Sequence, residues 1–258
     1  MPHEVPESEV RIEACVDSLE SALAAETGGA SRVELCDNLL EGGTTPSAAM
    51  IELCSQRLNI PVFVIVRPRA GDFHYSDDET DLMLRDIRHA ASFGAAGVVI
   101  GALRRDGTVD IEKARALVEA ARPLPVTFHR AFDACRNVGE ALEVLISLGV
   151  DRVLTSGGAG SAEAGVDVLR ALVLQASGRI GILAGGGVNE TNVARIVAGA
   201  GVTEVHVRLT RQVPSRMEFT NPAVDFGGRT APSDRVRTVT DEARIAELCR
   251  LARSTRGP

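Results

Sequence analysis

Two carboxylates, two imidazoles, two thiols and several guanidiniums recur in this chain at the ends of short β-rich runs. Glu13 and Cys15 stand two residues apart in RIEACV (11–16), and Glu34 and Cys36 repeat the spacing in RVELC (32–36). Arg67 closes VFVIVR (62–67), His129 and Arg130 close PVTFHR (125–130), and His206 lies in TEVHVR (203–208). Paired carboxylates in unlike surroundings can divide into acid and base. Arginine and histidine beside them can orient or polarise an anionic substrate. Two soft thiolates can hold a d¹⁰ ion such as Cu(I) with only two or three ligands. The plain alternatives are two small thiols packed in a core and a salt-bridge network plugging one end of the fold.

These residues must be positioned by the elements around them. Eight β-rich runs are legible, at 11–16, 32–36, 62–67, 97–101, 125–130, 152–156, 180–185 and 203–208. They alternate with helical patterns near 18–27, 47–57, 78–93, 110–121, 138–147, 163–176, 190–199 and 241–253. Gly29, Gly94, Gly149 and Gly201 precede every second strand at one offset, as expected where a glycine closes a helix and turns into the next strand. Eight βα units in about 250 residues predict an α/β fold, a single-domain TIM-type (β/α)8 barrel. No G-x-G-x-x-G opens the first helix, so no nucleotide cofactor is expected.

Alternation along each strand puts Ile12, Ala14, Val16, Val33, Leu35, Val62, Val64 and Val66 on the face packed under the helices. The opposite face directs Glu13, Glu34, Arg67, His129 and His206 into the barrel, toward the C-terminal mouth where such barrels keep their chemistry. Buried charges survive only when paired or hydrated. Arg67, with Arg69 and Arg130, and the imidazoles of His129 and His206 are therefore expected to compensate Glu13 and Glu34. Two glycine-rich loops, Ser156-Gly157-Gly158 and Gly185-Gly186-Gly187, are candidates for turning backbone N–H groups toward an anion, or simply make tight turns.

Composition narrows the partners. Of 28 Lys+Arg only Lys113 is lysine, and it falls at a helix start away from the strand ends, which disfavours Schiff-base chemistry. A net charge of −7, no Trp and one Tyr argue against nucleic acid. No apolar run is long enough for a membrane helix. Five scattered cysteines without Cys-x-x-Cys spacing, and an N-terminus without an apolar targeting stretch, predict a cytoplasmic protein with reduced thiols. Residues 1–10 read as an acidic tail and 11–258 as the barrel, with a long irregular segment at about 210–240 before the last helix.

Laid end to end, the motifs resemble the CutC family, named for copper homeostasis. The matching stretches are CVDS (15–18), ELCDNLLEGGTTPS (34–47), RPR (67–69), GDF (71–73), FHRAFD (128–133), LTSGG (154–158) and GGGV (185–188). The resemblance implies a cytoplasmic TIM-type barrel associated with copper handling. It also implies a homo-oligomer, dimer or tetramer. It adds Arg130 and Asp133 to the candidate catalytic set of Glu13, Glu34, Arg67, His129 and His206, and makes Cys15 and Cys36 the candidate copper ligands. An enzyme acting on a small phosphate- or carboxylate-bearing metabolite is the alternative. The chain departs from the family pattern where His206-Val207-Arg208 replaces a His-Gly-Ser run.

Overall fold

The computed structural model describes residues 10–219, 221, 223 and 235–255. All eight barrel strands form: β1 (Arg11–Val16), β2 (Arg32–Leu35), β3 (Val62–Ile65), β4 (Gly97–Ile100), β5 (Val126–Phe128), β6 (Arg152–Thr155), β7 (Gly181–Gly185) and β8 (Glu204–Val207). They pair in parallel in sequence order, and β8 closes on β1 with Glu13 opposite His206. The helices between them are α1 (Leu19–Thr27), α2 (Ala48–Arg57), α3 (Asp77–Ser92), α4 (Ile111–Ala121), α5 (Val138–Ser147), α6 (Val166–Ala176) and α7 (Val193–Ala200). Helix α8 (Glu242–Arg253) completes the ring. Side-chain caps start many of them: Ser18, Ser47, Asp110, Asn137 and Asp241 each accept from a backbone N–H, and Ser76 forms a reciprocal box with Glu79. Gly29, Gly94, Gly149 and Gly201 all take positive φ, as the helix-closing role requires.

The pleat divides the apolar residues into two bodies. The larger fills the layer between sheet and helices and includes Ile12, Val33, Val64, Val98, Phe128 and Val205. The smaller lies inside the barrel and consists of Cys15, Cys36, Phe63, Ile65 and Val99. A Cβ at Gly97 would run into the Phe63 ring, and one at Gly181 into the Arg152 stem. Glycines on the inner face of β4 and β7 thus leave the room that large inward side chains occupy.

The segment expected to be irregular is partly ordered, which corrects the sequence reading. Strand β9 (Thr210–Pro214) pairs antiparallel with β10 (Val236–Thr240), with Thr210 opposite Thr240 and Pro214 opposite Val236. The physical reason is backbone pairing: two five-residue runs satisfy each other's N–H and C=O groups although the sequence between them carries turn signals. Residues 220, 222 and 224–234, and residues 1–9 of the expected tail at 1–10, lie outside the described residues, while Val10 is buried in the core.

Candidate metal centre at the barrel mouth

The inner face of β1, β2 and β8 carries a stack of charges. At the lower level Arg32 hydrogen-bonds both Glu13 and Glu204, and Arg152 pairs with Glu204 at 3.3 Å. Both guanidiniums lie over the face of Phe63, at 5.4 and 4.8 Å from the ring centre. One level up, His206 Nδ1 meets Glu13 Oε1 at 2.8 Å, and its Nε2 lies 3.7 Å from Glu34. Above that, the sulfurs of Cys15 and Cys36 are 3.8 Å apart, and Cys36 Sγ lies 3.6 Å from Glu34 Oε2. Cys15, Glu34 and Cys36 are all buried, and their donor atoms lie within 4.8 Å of one another.

Electrostatics follow from this stacking. Burial alone would raise the Glu13 carboxyl, but Arg32 and the bond to His206 outweigh it and hold Glu13 well below the usual carboxylate range. Burial would lower the His206 imidazole, yet hydrogen bonds to Cys15 and Glu13 and the nearby carboxylate charges push it well up, so the ring is cationic at neutral pH. The Cys15 thiol is brought down to about 5 by the hydrogen bond from Cys36, with His206 adding to the effect against the opposing pull of burial. Glu34 moves the other way, up to about 8, because of burial and the neighbouring charge on Cys15. Cys36, bonded to Cys15 and buried, is pushed well above its ordinary value. One negative charge thus resides on the thiol pair, balanced by an imidazolium.

The loop after β2 covers this cluster. Gly43 sits at φ 88° with its Cα side against Cys36: an added Cβ would lie 3.4 Å from the sulfur, and the positive φ already excludes most side chains. Arg67 braces the same loop, donating from Nη1 to the carbonyls of Glu41 (2.9 Å) and Gly43 (2.7 Å) and from Nη2 to Gly71 (2.8 Å). That corrects the expectation that Arg67, Arg69 and Arg130 compensate Glu13 and Glu34. Arg69 binds Asp72 in the β3–α3 loop and Glu79 in α3, Arg130 binds Asp133, and of the expected groups His206 alone meets the two carboxylates, joined by Arg32. Arg67 stands past the end of β3 and meets loop carbonyls, whereas Arg32 opens β2 and stays among the inward carboxylates.

On the far side of the mouth, Asp133 is gripped by many donors. Its carboxylate accepts from the backbone N–H of Ser156 and Gly158, the hydroxyls of Thr155 and Ser156, and Arg130 Nε. The amides of Ser156 and Gly158 therefore bind an anion of the chain itself. Arg130 also reaches Ser156 Oγ at 3.0 Å and lies against Gly186, whose positive φ and missing Cβ admit it. Gly185 lies beside His206, and Gly187 accepts from the side chains of Asn189 and Asn192 through its carbonyl. His129 is separate again: it stands just past the end of β5, buried, with Phe73 at 5.0 Å. The fifteen candidate residues thus fall into three groups: the β1–β2–β8 cluster, the Asp133 clasp with the glycine loops, and the Arg67–His129 side.

A closed eight-stranded parallel barrel with a thiol–carboxylate cluster at its C-terminal mouth defines the class: a TIM-type barrel with a candidate soft-metal centre. The CutC family model matches residues 10–210. A copper homeostasis protein cutC homolog from Mus musculus is 48% identical over 242 residues, covering 94% of this chain and 89% of that protein. A CutC family protein from Bacteroides fragilis is 47% identical over 236 residues, 91% and 94% of the two chains. Among solved structures, a copper homeostasis protein CutC from Streptococcus agalactiae superposes with a TM-score of 0.74 at 35% identity, covering 76% of this chain and 97% of that one. The chain belongs to the CutC family of copper homeostasis proteins.

Proposed function

We propose that this protein takes part in copper homeostasis by binding one Cu(I) ion between Cys15 and Cys36, with Glu34 as a third donor. The observation that carries this reading is the pair of sulfurs 3.8 Å apart. Two metal–sulfur bonds of about 2.3 Å span at most about 4.6 Å, so one ion reaches both. Cys15 offers a thiolate at neutral pH, Cys36 and Glu34 release their protons as the ion binds, and soft sulfur selects Cu(I) over hard cations. His206 is spoken for by Glu13, and its role in this reading is to balance the thiolate charge. Glu13 itself is wholly buried between Arg32 and His206 and held ionised, which suits a fixed counter-charge better than a proton carrier.

The reading goes with a reducing, cytoplasmic location, supported by five cysteines of which none is in a disulfide. It also goes with homo-oligomeric assembly, supported by Met217 and Phe219, each 73% exposed beyond β9. The test is a competition titration against a colorimetric Cu(I) chelator under anaerobic conditions. One tight equivalent is expected for the native chain and none for the Cys15→Ser/Cys36→Ser variant. Equal affinity in the variant removes the assignment.

A further inference from the structure

Away from the thiols, the β3–β5 side of the mouth holds a buried hydrogen-bonding group with no partner. His129 is 4% exposed and Arg67 5%. Among the described residues His129 Nε2 has no hydrogen-bond partner. Phe73 ties the two residues together, with the Arg67 guanidinium 5.3 Å and the His129 ring 5.0 Å from its centre. The Tyr75 hydroxyl faces the Arg67 guanidinium, so these two serve each other, but leaving the buried His129 Nε2 unpaired costs about 1–3 kcal/mol and needs an explanation.

The protonation of His129 fixes what is missing. Its Nδ1 accepts from the N–H of Ala131 at 3.1 Å, so the ring proton resides on Nε2. Burial and the charge of Arg67 bring the imidazole down to about 3, which keeps it neutral. The orphaned Nε2–H is thus a donor without an acceptor. Charge is unmatched as well. The buried Arg32 and Arg152 pair with Glu13 and Glu204, but among the described residues no carboxylate pairs with Arg67, whose remaining donors go to neutral carbonyls. The missing Cβ at Gly101 is what admits the His129 ring, which a side chain there would strike.

We propose that His129 and Arg67 form a second ligand site that binds an oxyanion, a carboxylate or phosphate group, through the His129 Nε2–H with Arg67 as its counter-charge. A neutral imidazole that donates to oxygen is the form that polarises a carbonyl or steadies an oxyanion without giving up a proton. The ligand class is acceptor-only because the unpaired ring atom here is a donor. This site stands independently of the copper reading, since it uses neither sulfur nor Glu34.

The test follows the His129 Nε2–H proton by NMR in ¹⁵N-labelled full-length protein while inorganic phosphate or acetate is added at constant ionic strength. A saturable shift of that resonance with either anion is expected, and which anion produces it identifies the ligand as phosphate- or carboxylate-bearing. His129→Phe keeps a ring against Phe73 and removes the donor, so affinity is expected to weaken about tenfold or more. Arg67→Lys, which keeps the charge but not the fork, is expected to weaken it less. If His129→Phe does not fold, the native resonance decides alone. A resonance that neither anion moves, or unchanged binding in a folded His129→Phe, overturns the proposal and leaves the copper site untouched.

Discussion

His206 and Glu13 are directly opposite each other where β8 closes on β1, and the imidazole Nδ1 meets the carboxylate at 2.8 Å. Barrel closure and the charge state of the thiols therefore share one hydrogen bond. Glu13→Gln removes the charge that supports both His206 and Arg32. The midpoint for alkylation of Cys15 by iodoacetamide is expected to rise from about 5 toward the ordinary thiol range. Unfolding free energy is expected to fall by about 3–5 kcal/mol, because a buried cation loses a partner. A pH–rate profile and a urea titration check the two parts separately.

Gly97 and Phe63 make a volume pair across β3 and β4, where they are in register. Gly97→Ala forces a methyl into the Phe63 ring and is expected to cost about 1–3 kcal/mol. Phe63→Leu in the same chain should recover part of that loss. Additive losses in the double-mutant cycle would show that the two do not share the space.

Asp133 holds the loop after β6 through backbone and hydroxyl donors. Asp133→Ala leaves the amides of Ser156 and Gly158 without their acceptor. Hydrogen exchange at these two amides is expected to accelerate well above that of the neighbouring β6 amides, with global stability down by about 1–3 kcal/mol. Unchanged protection would mean that the loop is held by something else.

Stability should also fall in acid because of His129. Its native imidazole titrates at about 3, against about 6.5 in the unfolded chain. Between those values the unfolded state binds the extra proton, so the stabilising contribution is complete above about pH 6.5 and is lost as pH falls toward 3. Urea midpoints measured from neutral to acid pH are expected to drop less steeply for His129→Asn than for the native chain.

Much of this was legible in the chain, and the gaps have physical causes. The eight strands emerge from periodicity because both faces of a barrel strand are buried, and α1–α8 emerge from the spacing of their apolar positions. Side-chain parity correctly separates Glu13, Cys15, Glu34 and Cys36 from Ile12, Ala14, Val33 and Leu35. The same parity could have found Arg32, Arg152 and Glu204, which lie two residues before Glu34, Leu154 and His206 respectively. They open their strands at the lower level of the barrel, away from the C-terminal mouth. The Asp133 clasp could not be read, since apart from Arg130 its donors come from a strand and loop more than twenty residues away. Nor could the orphaned His129 Nε2, because only the fold decides which buried atoms go unpaired.

In the proposed function one Cu(I) ion bridges the two thiols at the barrel mouth, and X-ray absorption at the copper edge of anaerobically loaded protein is the decisive measurement. Two sulfur neighbours on copper are expected in the native chain and one in Cys36→Ser, with the fold unchanged. A copper shell made only of nitrogen and oxygen, or a sulfur count that Cys36→Ser does not alter, would contradict it.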